Sequence, residues 1–487
     1  MFGSTFVLPD QALDVTRPPV RIAAWKLTPG TNPGESQAVL IVADGRGEPR
    51  SFAETAVTSP TPGQGQRDPR PQWDPRGRLL AYRDLATQGL FVLDTARGSL
   101  TQVSYGDHFP EVMEDSGLSW SPDGSRLLFS GILEDESTST DYDEGSGPPQ
   151  FTSEVLLYEV RTGEVTRLTH DRGNNRPLAW SPDGRRFLSH YDGVVGMGGE
   201  PNVYWRTLTV HDAQSGDSRA LARGLVSGAR WSPDGSRVMY SCLPPDPYLP
   251  WTSDICVTSV DGTDRRRLTP SNCEDCFLPR YSDETANWRS VFGGRWAPGG
   301  DRAIFTAYLW KADDVHEKSI QMHDFASDRG QLLISLTALD GAIRTVDFVG
   351  WLNDDEFLYE STYSCGEYTP SHGTASITKF TIDSAEAQVI VEIPEKPRAP
   401  DDGLIDCPPS VALSPDRSHL AVQYSLAGLH VYSLPSRSWT EIIDSWSSIG
   451  GTGTHSIARC VVPWTAAGFL GACDHVREVT NARNVAQ

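Results

Sequence analysis

One signature returns three times in almost the same form: Trp120-Ser-Pro-Asp-Gly-Ser-Arg, Trp180-Ser-Pro-Asp-Gly-Arg-Arg and Trp231-Ser-Pro-Asp-Gly-Ser-Arg, each followed by an apolar run (LLFSG, FLSHY, VMYSC). A repeated supersecondary unit cannot bury its apolar face alone, so the repeat constrains the architecture before length or composition does. Weaker copies begin at Trp73 (WDPRGRLLAY), Trp296 (WAPGGDRAIFTAY), Trp351 (WLNDDEFLYEST), Leu413 (LSPDRSHLAVQY) and Trp464 (WTAAGFLGAC), and successive signatures lie 47 to 65 residues apart.

Within one unit a short apolar run ends in Trp, a Pro-Asp-Gly turn follows, then a second apolar run and two more alternating runs such as EVLLYEVRTGEVTRLT at 154–169 and DICVTSVDGTDRRRLT at 254–269. Pro supplies the fixed φ of a turn's first central position and Gly the φ that other residues resist, so the signature closes a tight hairpin. Four antiparallel strands per period near 50 predict an all-β chain, a single β-propeller of about eight four-stranded blades. The signature at Trp464 has room for two strands only, and residues 38–54 look like a third and fourth strand without partners. Joining the N- and C-terminal strands in one composite blade would close the ring and protect its edge; seven blades with decorated ends is the alternative. The expected boundaries are an N-terminal extension over 1–20, the propeller over 21–475 and a tail over 476–487.

The repeat resembles the TolB-like propeller family, whose unit reads as Trp-Ser-Pro-Asp-Gly, two apolar strands and a closing Arg-Leu-Thr; Arg167-Leu168-Thr169 and Arg267-Leu268-Thr269 match that ending. The resemblance covers residues 73 to about 475, with the motif eroded from 296 onward. It implies a propeller fold and says little about activity, because propellers host unrelated functions.

Lys plus Arg number 42 against 64 Asp plus Glu, a formal charge of −22. Such a surface repels nucleic-acid phosphates and anionic lipid, which argues against both as partners. No run approaches the roughly 18 to 20 uninterrupted apolar residues of a spanning helix. The start, MFGSTFVLPDQALDVTRPP, shows no basic segment followed by an apolar one, so no secretory signal is legible there. The eight cysteines nevertheless fall as sequence neighbours: Cys242 with Cys256, Cys273 with Cys276, Cys365 with Cys407, Cys460 with Cys473. Local pairing predicts disulfides and an extracytoplasmic setting, periplasmic or cell-surface; free thiols in the cytoplasm are the alternative. Cys273-Glu-Asp-Cys276 has no second Cys-x-x-Cys to complete a zinc site.

Strand parity puts first-to-second and third-to-fourth turns at one end of every blade, and second-to-third and inter-blade connections at the other. Long insertions, near 131–152, 191–203, 242–253, 270–290, 308–330, 361–375 and 396–410, all fall at the second end, where binding residues concentrate on a rigid scaffold. The candidate ligand or partner contacts there are Tyr142, Tyr248, Trp251, Trp288, Trp310, His316, Tyr368 and His372. The segment at 308–330 mixes Trp310, Asp313, Asp314, His316, His323 and Asp324, groups suited to metal ligation or proton transfer, without a known ligand spacing. In the acidic loop Asp141, Asp143 and Glu144 are hard oxygen ligands of the kind that hold calcium, although a solvated loop explains them as well. No other cofactor is expected.

The sequence-level expectation is a non-catalytic propeller that recognises a protein, peptide or glycan through the long-loop end, and not an enzyme. The alternative is a metal-dependent polysaccharide lyase or another hydrolase-like propeller enzyme. A serine hydrolase needs a Gly-x-Ser-x-Gly elbow and an α/β domain, and neither is present in this sequence. A lyase needs converging His or carboxylates, for which Asp107-His108, His170-Asp171 and His372 are the loose candidates.

Overall fold

The computed structural model describes the strands between 21 and 58, and residues 72–443 apart from 85–88, 106–110, 113–116, 133–152, 171–173, 196–202, 225, 243–252, 269–287, 311–315, 338–343, 364–374, 394–409, 415 and 425–427. These residues form strands and turns, with no helix among them and hence none long and apolar enough to cross a membrane.

Seven sheets carry the repeat. Blade 1 is Gln72–Trp73, Leu79–Arg83, Leu90–Asp94 and Ser99–Gln102. Blade 2 is Ser119–Trp120, Arg126–Ile132, Glu154–Glu159 and Val165–Arg167, with Glu111–Val112 as a fifth strand on Arg126–Ile132. Blade 3 is Asn174–Trp180, Arg186–Val195, Val203–Asp212 and Ser218–Gly224, and blade 4 is Val226–Trp231, Arg237–Cys242, Asp254–Ser259 and Arg266–Arg267. Blade 5 is Trp288–Trp296, Arg302–Trp310, His316–Asp324 and Arg329–Thr337, and blade 6 is Arg344–Trp351, Glu356–Tyr363, Ala375–Thr381 and Glu386–Ile393. Blade 7 is Ser410–Leu413, His419–Tyr424, Gly428–Ser433 and Ser438–Ile443. The sheet order follows the chain order, with antiparallel neighbours, as meanders require.

The expected eight-bladed, terminally closed ring is therefore corrected to the seven-blade alternative. The N-terminal strands do not await a C-terminal partner: Arg21–Pro29 pairs antiparallel with Glu35–Asp44, which pairs with Arg50–Thr58, giving a separate three-stranded sheet. Arg21–Pro29 carries no signature turn, so the sequence reading passed over it. The signature at Trp464 and the tail lie outside the described residues.

The signature folds as its chemistry dictates. Ser121 Oγ donates to Asp123 Oδ1 (2.6 Å) and accepts from the Arg126 N–H (2.9 Å), satisfying the turn inside its own residues. The same pair of bonds recurs at Ser181, Asp183 and Arg186 and at Ser232, Asp234 and Arg237. Blade 1 substitutes a carboxylate for the hydroxyl, and Asp74 accepts from the Arg78 and Leu79 N–H groups at 2.6 Å each. The Trp ahead of the turn reaches back one blade: Trp120 Nε1 donates to Gln72 O (3.0 Å) and Trp231 Nε1 to Ala179 O (3.2 Å).

The chain divides into two compact units, one of Met1–Ser137, Leu156–Thr166 and Ser410–Gln487, the other of Thr138–Val155 and Arg167–Pro409. In the first, Ala81, Leu90 and Val92 of blade 1 pack with Trp120, Leu127 and Phe129 of blade 2. In the second, apolar clusters fill each interval between blades 3 and 4, 4 and 5, and 5 and 6. The second and third strands of blades 1, 2 and 4 are buried along nearly their whole length, as strands covered on both faces are.

Candidate functional site

Long connections gather where parity places them. The segments 133–152, 196–202, 243–252, 311–315 and 364–374 join second to third strands, while every described first-to-second and third-to-fourth connection is a tight turn. Two expected insertions shrink on inspection. Strands Arg302–Trp310, His316–Asp324 and Arg329–Thr337 together occupy most of 308–330, and Arg186–Val195 and Val203–Asp212 occupy part of 191–203.

The long loops spring from braced strand ends. At the root of 243–252, Cys242 and Cys256 form a disulfide with a Cα–Cα distance of 5.8 Å, joining the second and third strands of blade 4 as the sequence suggested. Asp254 opens that third strand and pairs with Arg267 at 3.2 Å. At the root of the acidic loop, Glu154 is almost fully buried, bonded by Arg167 Nη2 (2.9 Å), by the Thr169 hydroxyl and by Asn175 Nδ2 (3.4 Å). Ser153 Oγ adds a bond to Asn174 Oδ1 at 2.7 Å. The Arg-Leu-Thr ending thus has a physical role, because its Arg neutralises a carboxylate at the start of the third strand, and in blade 2 its Thr hydroxyl donates a hydrogen bond to the same carboxylate.

In blade 5 the register brings three expected contacts into one row. Trp288 pairs with Trp310, and Trp310 with His316, all at the long-loop end. His323 does not join them. It lies seven positions along the same strand, roughly 23 Å away at 3.3 Å per residue, buried beside Phe325 at 4.7 Å and 3.2 Å from Asp328. Burial pushes its pKa down, against the opposing pull of Asp328. The mixed set at 308–330 is therefore not one site.

Tyr142, Tyr248, Trp251, Tyr368 and His372 lie outside the described residues, as do the calcium candidates Asp141, Asp143 and Glu144 and the cysteines Cys273, Cys276, Cys365, Cys407, Cys460 and Cys473. Among the described residues, no group of three or more His, Cys, Asp or Glu is placed to hold a metal ion.

A feature the sequence reading missed sits on first strands instead of loops. Gly228-Ala229-Arg230-Trp231 and Gly293-Gly294-Arg295-Trp296 are parallel tetrads in blades 4 and 5. Each contains a register shift, between Ser227 and Arg230 and between Phe292 and Arg295, with Gly228 and Gly293 at φ of 60° and 71°. The repeated Gly-x-Arg-Trp was the legible signal.

No family model matches the sequence. A curated relative, the uncharacterized peptidase YuxL of Bacillus subtilis, is 27% identical over 146 residues, which is 25% of this chain; the match spans about a fifth (21%) of the relative's length. Among solved structures, a putative TolB from Agrobacterium tumefaciens is 20% identical, covering 59% of this chain and 85% of its own, with a TM-score of 0.34. An oligogalacturonate lyase in complex with manganese is 15% identical, covering 89% of this chain and 97% of its own, with a TM-score of 0.46. The similarity to TolB-like propellers is thus weak. The non-catalytic scaffold expectation, and the reading against an enzyme that went with it, is corrected by these matches: beside the lyase and the YuxL peptidase, other matched chains are a dipeptidyl peptidase, two proteases and a dehydrogenase. Each activity is that of the matched protein.

Proposed function

We propose that this chain is a hydrolase-type propeller that admits and holds a peptide substrate for peptidase chemistry. The observation that carries the reading is the sequence likeness to the YuxL peptidase, 27% over 146 residues, long enough for two full signature-to-signature intervals. The substrate contacts are the long-loop residues Tyr142, Tyr248, Trp251, Trp288, Trp310, His316, Tyr368 and His372. Aromatic groups on such loops grip a peptide at low entropic cost, and the row Trp288, Trp310 and His316 is the place to start. The hydrolytic nucleophile comes from outside this sequence, in a further domain or a partner chain, since the Gly-x-Ser-x-Gly elbow is lacking. The Cys242–Cys256 disulfide supports an oxidising compartment as the place of work.

The test is binding of a fluorescent peptide library to the full chain by anisotropy, with Trp310→Ala and Tyr248→Ala alongside. Micromolar binding weakened at least tenfold by either substitution is the expected outcome. Absence of peptide binding, or manganese-dependent cleavage of oligogalacturonate read as unsaturated product, would overturn the peptidase reading.

A further inference from the structure

Charged and aromatic groups gather at the tight-turn end of the junction between blades 4 and 5. Phe325, in the third-to-fourth turn of blade 5, is their centre. Its ring stacks on Trp296 at 4.8 Å, meets His323 edge-on at 4.7 Å, and lies under two guanidiniums of blade 4, Arg237 at 4.4 Å and Arg266 at 5.9 Å. Asp328, the last residue of the turn, ties the two blades together. Its Oδ1 accepts from Arg266 Nη1 at 2.7 Å, and His323 Nε2 stands 3.2 Å from the same oxygen. The corresponding turns of blades 1, 2 and 3 put a glycine, Gly98, Gly163 and Gly216, in the left-handed conformation; in blade 5 Asp328 takes it, at φ 54°, against the resistance of its Cβ. A side chain that blades 1 to 3 do without at this position thus makes the link between blades.

The imidazole is the ill-matched member of the group. The His323 side chain is 6% exposed, and its Nδ1 has no hydrogen-bond partner among the described residues. Its cross-strand neighbours, Ala303 and Gly330, carry no charge. The charged groups about it are Asp328 in the turn, Arg266 from blade 4, Asp324 next along its own strand and itself 3.6 Å from Arg302, and Arg237 over the Phe325 ring. Burial pushes the His323 pKa down; Asp328 opposes this and Arg266 adds to it. Asp328 is 63% exposed, so solvent screens its pull, whereas nothing replaces the water that the ring has lost. At neutral pH the ring is therefore uncharged, and a proton added in mild acid creates a further cation beside Arg266 in a buried place.

We propose that His323, Asp328 and Arg266 form an acid-released clasp between blades 4 and 5, which holds the tight-turn end of the junction closed while the imidazole is neutral and lets the turn at 325–328 open when the imidazole takes a proton. The ring regains water in the open turn, so it binds a proton there more readily than in the closed one, and linkage favours opening as pH falls. Because the closed-state value is depressed below the ordinary one of about 6.5, the hold of the clasp is complete above that pH and is lost as pH falls from there towards the closed-state value. The clasp stands apart from the peptidase reading, at the end of the blades opposite the long loops.

The experiment is hydrogen exchange on the full chain, read by mass spectrometry on peptides containing the turn at 325–328 and corrected for the intrinsic pH dependence of exchange. Opening of the turn should become up to about tenfold more frequent between about pH 7.5 and about pH 5.5, the most that one proton bound near 6.5 supplies over that interval. His323 lies two strands across from the signature Trp296, a position held by Phe380 in blade 6 and Leu93 in blade 1. His323→Phe and His323→Leu therefore put in residues that the fold already accepts there, and either should abolish the acid response at this turn; the second serves if the first does not fold. The neighbours should act in opposite senses. Asp328→Gly, which restores the glycine of blades 1 to 3, removes the pull that favours the charged ring and should enlarge the acid response, whereas Arg266→Gln removes a repelling cation and should shrink it. A turn whose exchange is indifferent to pH, an acid response that survives in the His323 variants, or equal responses in Asp328→Gly and Arg266→Gln would each overturn the clasp.

Discussion

The junction between blades 3 and 4 and the junction between blades 5 and 6 solve one packing problem in two ways. At the first, Trp231 is 6% exposed, donates its indole N–H to Ala179 O, and lies under the Arg186 guanidinium at 5.7 Å. At the second, Trp351 is equally buried, but its Nε1 meets no acceptor among the described residues; it packs edge-on to Phe348 and Phe357, with ring centroids 5.9 and 5.8 Å away. The second junction adds polar ties at its turn end. The Gly299 N–H donates to Asp354 Oδ1 at 2.5 Å, and Arg302 reaches Asp355 at 3.4 Å and Asp383 at 3.0 Å. Where the signature is intact, a buried directional bond sets the blade-to-blade register. Where it has eroded, Trp351, Phe357 and Phe380 of blade 6 packed with Ile304, Ile320 and Met322 of blade 5, together with surface charge, take over, which explains why the fold continues past 296 although the motif fades.

The largest expected effect is the loss of Trp231. Trp231→Ala removes a buried indole between blades and should cost about 3 to 5 kcal/mol, read as a shift in the urea midpoint. Trp→Phe sharpens the comparison. Trp231→Phe leaves Ala179 O without its donor and should cost about 1 to 2 kcal/mol beyond the packing change, whereas Trp351→Phe has no such bond to lose. Equal losses at the two positions would erase the distinction between the junctions.

Much of this was legible beforehand. The signature fixes the hairpin because Ser, Pro, Asp and Gly each meet a separate backbone demand, and the pairing of Cys242 with Cys256 follows from their places on adjacent strands. The strand Arg21–Pro29 was not legible, since a strand without a turn motif looks like any polar-apolar alternation, and so the blade count came out one too high. The arginines on the bulges were missed for a related reason. A bulge depends on which residues pair across the hairpin, and Gly-Ala-Arg-Trp reads in sequence as the end of a strand. The row of Trp288, Trp310 and His316 was named residue by residue, but only the register shows that the three share a level.

A smaller effect is expected from the polar ties of the second junction. Arg302 is 24% exposed among carboxylates that are 25 to 70% exposed, so solvent and salt screen it. Arg302→Ala should cost about 1 kcal/mol or less, with the difference shrinking between 0.05 and 0.5 M salt as the Debye length falls from roughly 14 to 4 Å. A salt-independent loss as large as that of Trp231→Ala would show that the junction depends on the arginine and not on its aromatic core.

The smallest effect separates the two kinds of turn by pH. Burial raises the Asp234 pKa, but hydrogen bonds from Ser232 and Ser236 outweigh it and hold the carboxylate at about 2. In the unfolded chain the same group titrates near about 3.9. Its folded pKa is depressed, so its contribution is complete above the unfolded value and is lost as pH falls from about 4 towards 2. Asp234 is exposed, so screening keeps that contribution under about 1 kcal/mol. In blade 6 an amide stands in for such a carboxylate: Asn353 Oδ1 accepts from the Asp355 and Glu356 N–H groups at 2.8 and 2.9 Å, and an amide has no charge to lose. Asp234→Asn therefore gives the blade 4 turn the chemistry of blade 6, and its denaturant midpoint should fall less steeply than the wild type's between pH 4 and 2. Parallel curves would mean that the turn's stability rests on its backbone geometry, Gly235 included, and not on the carboxylate.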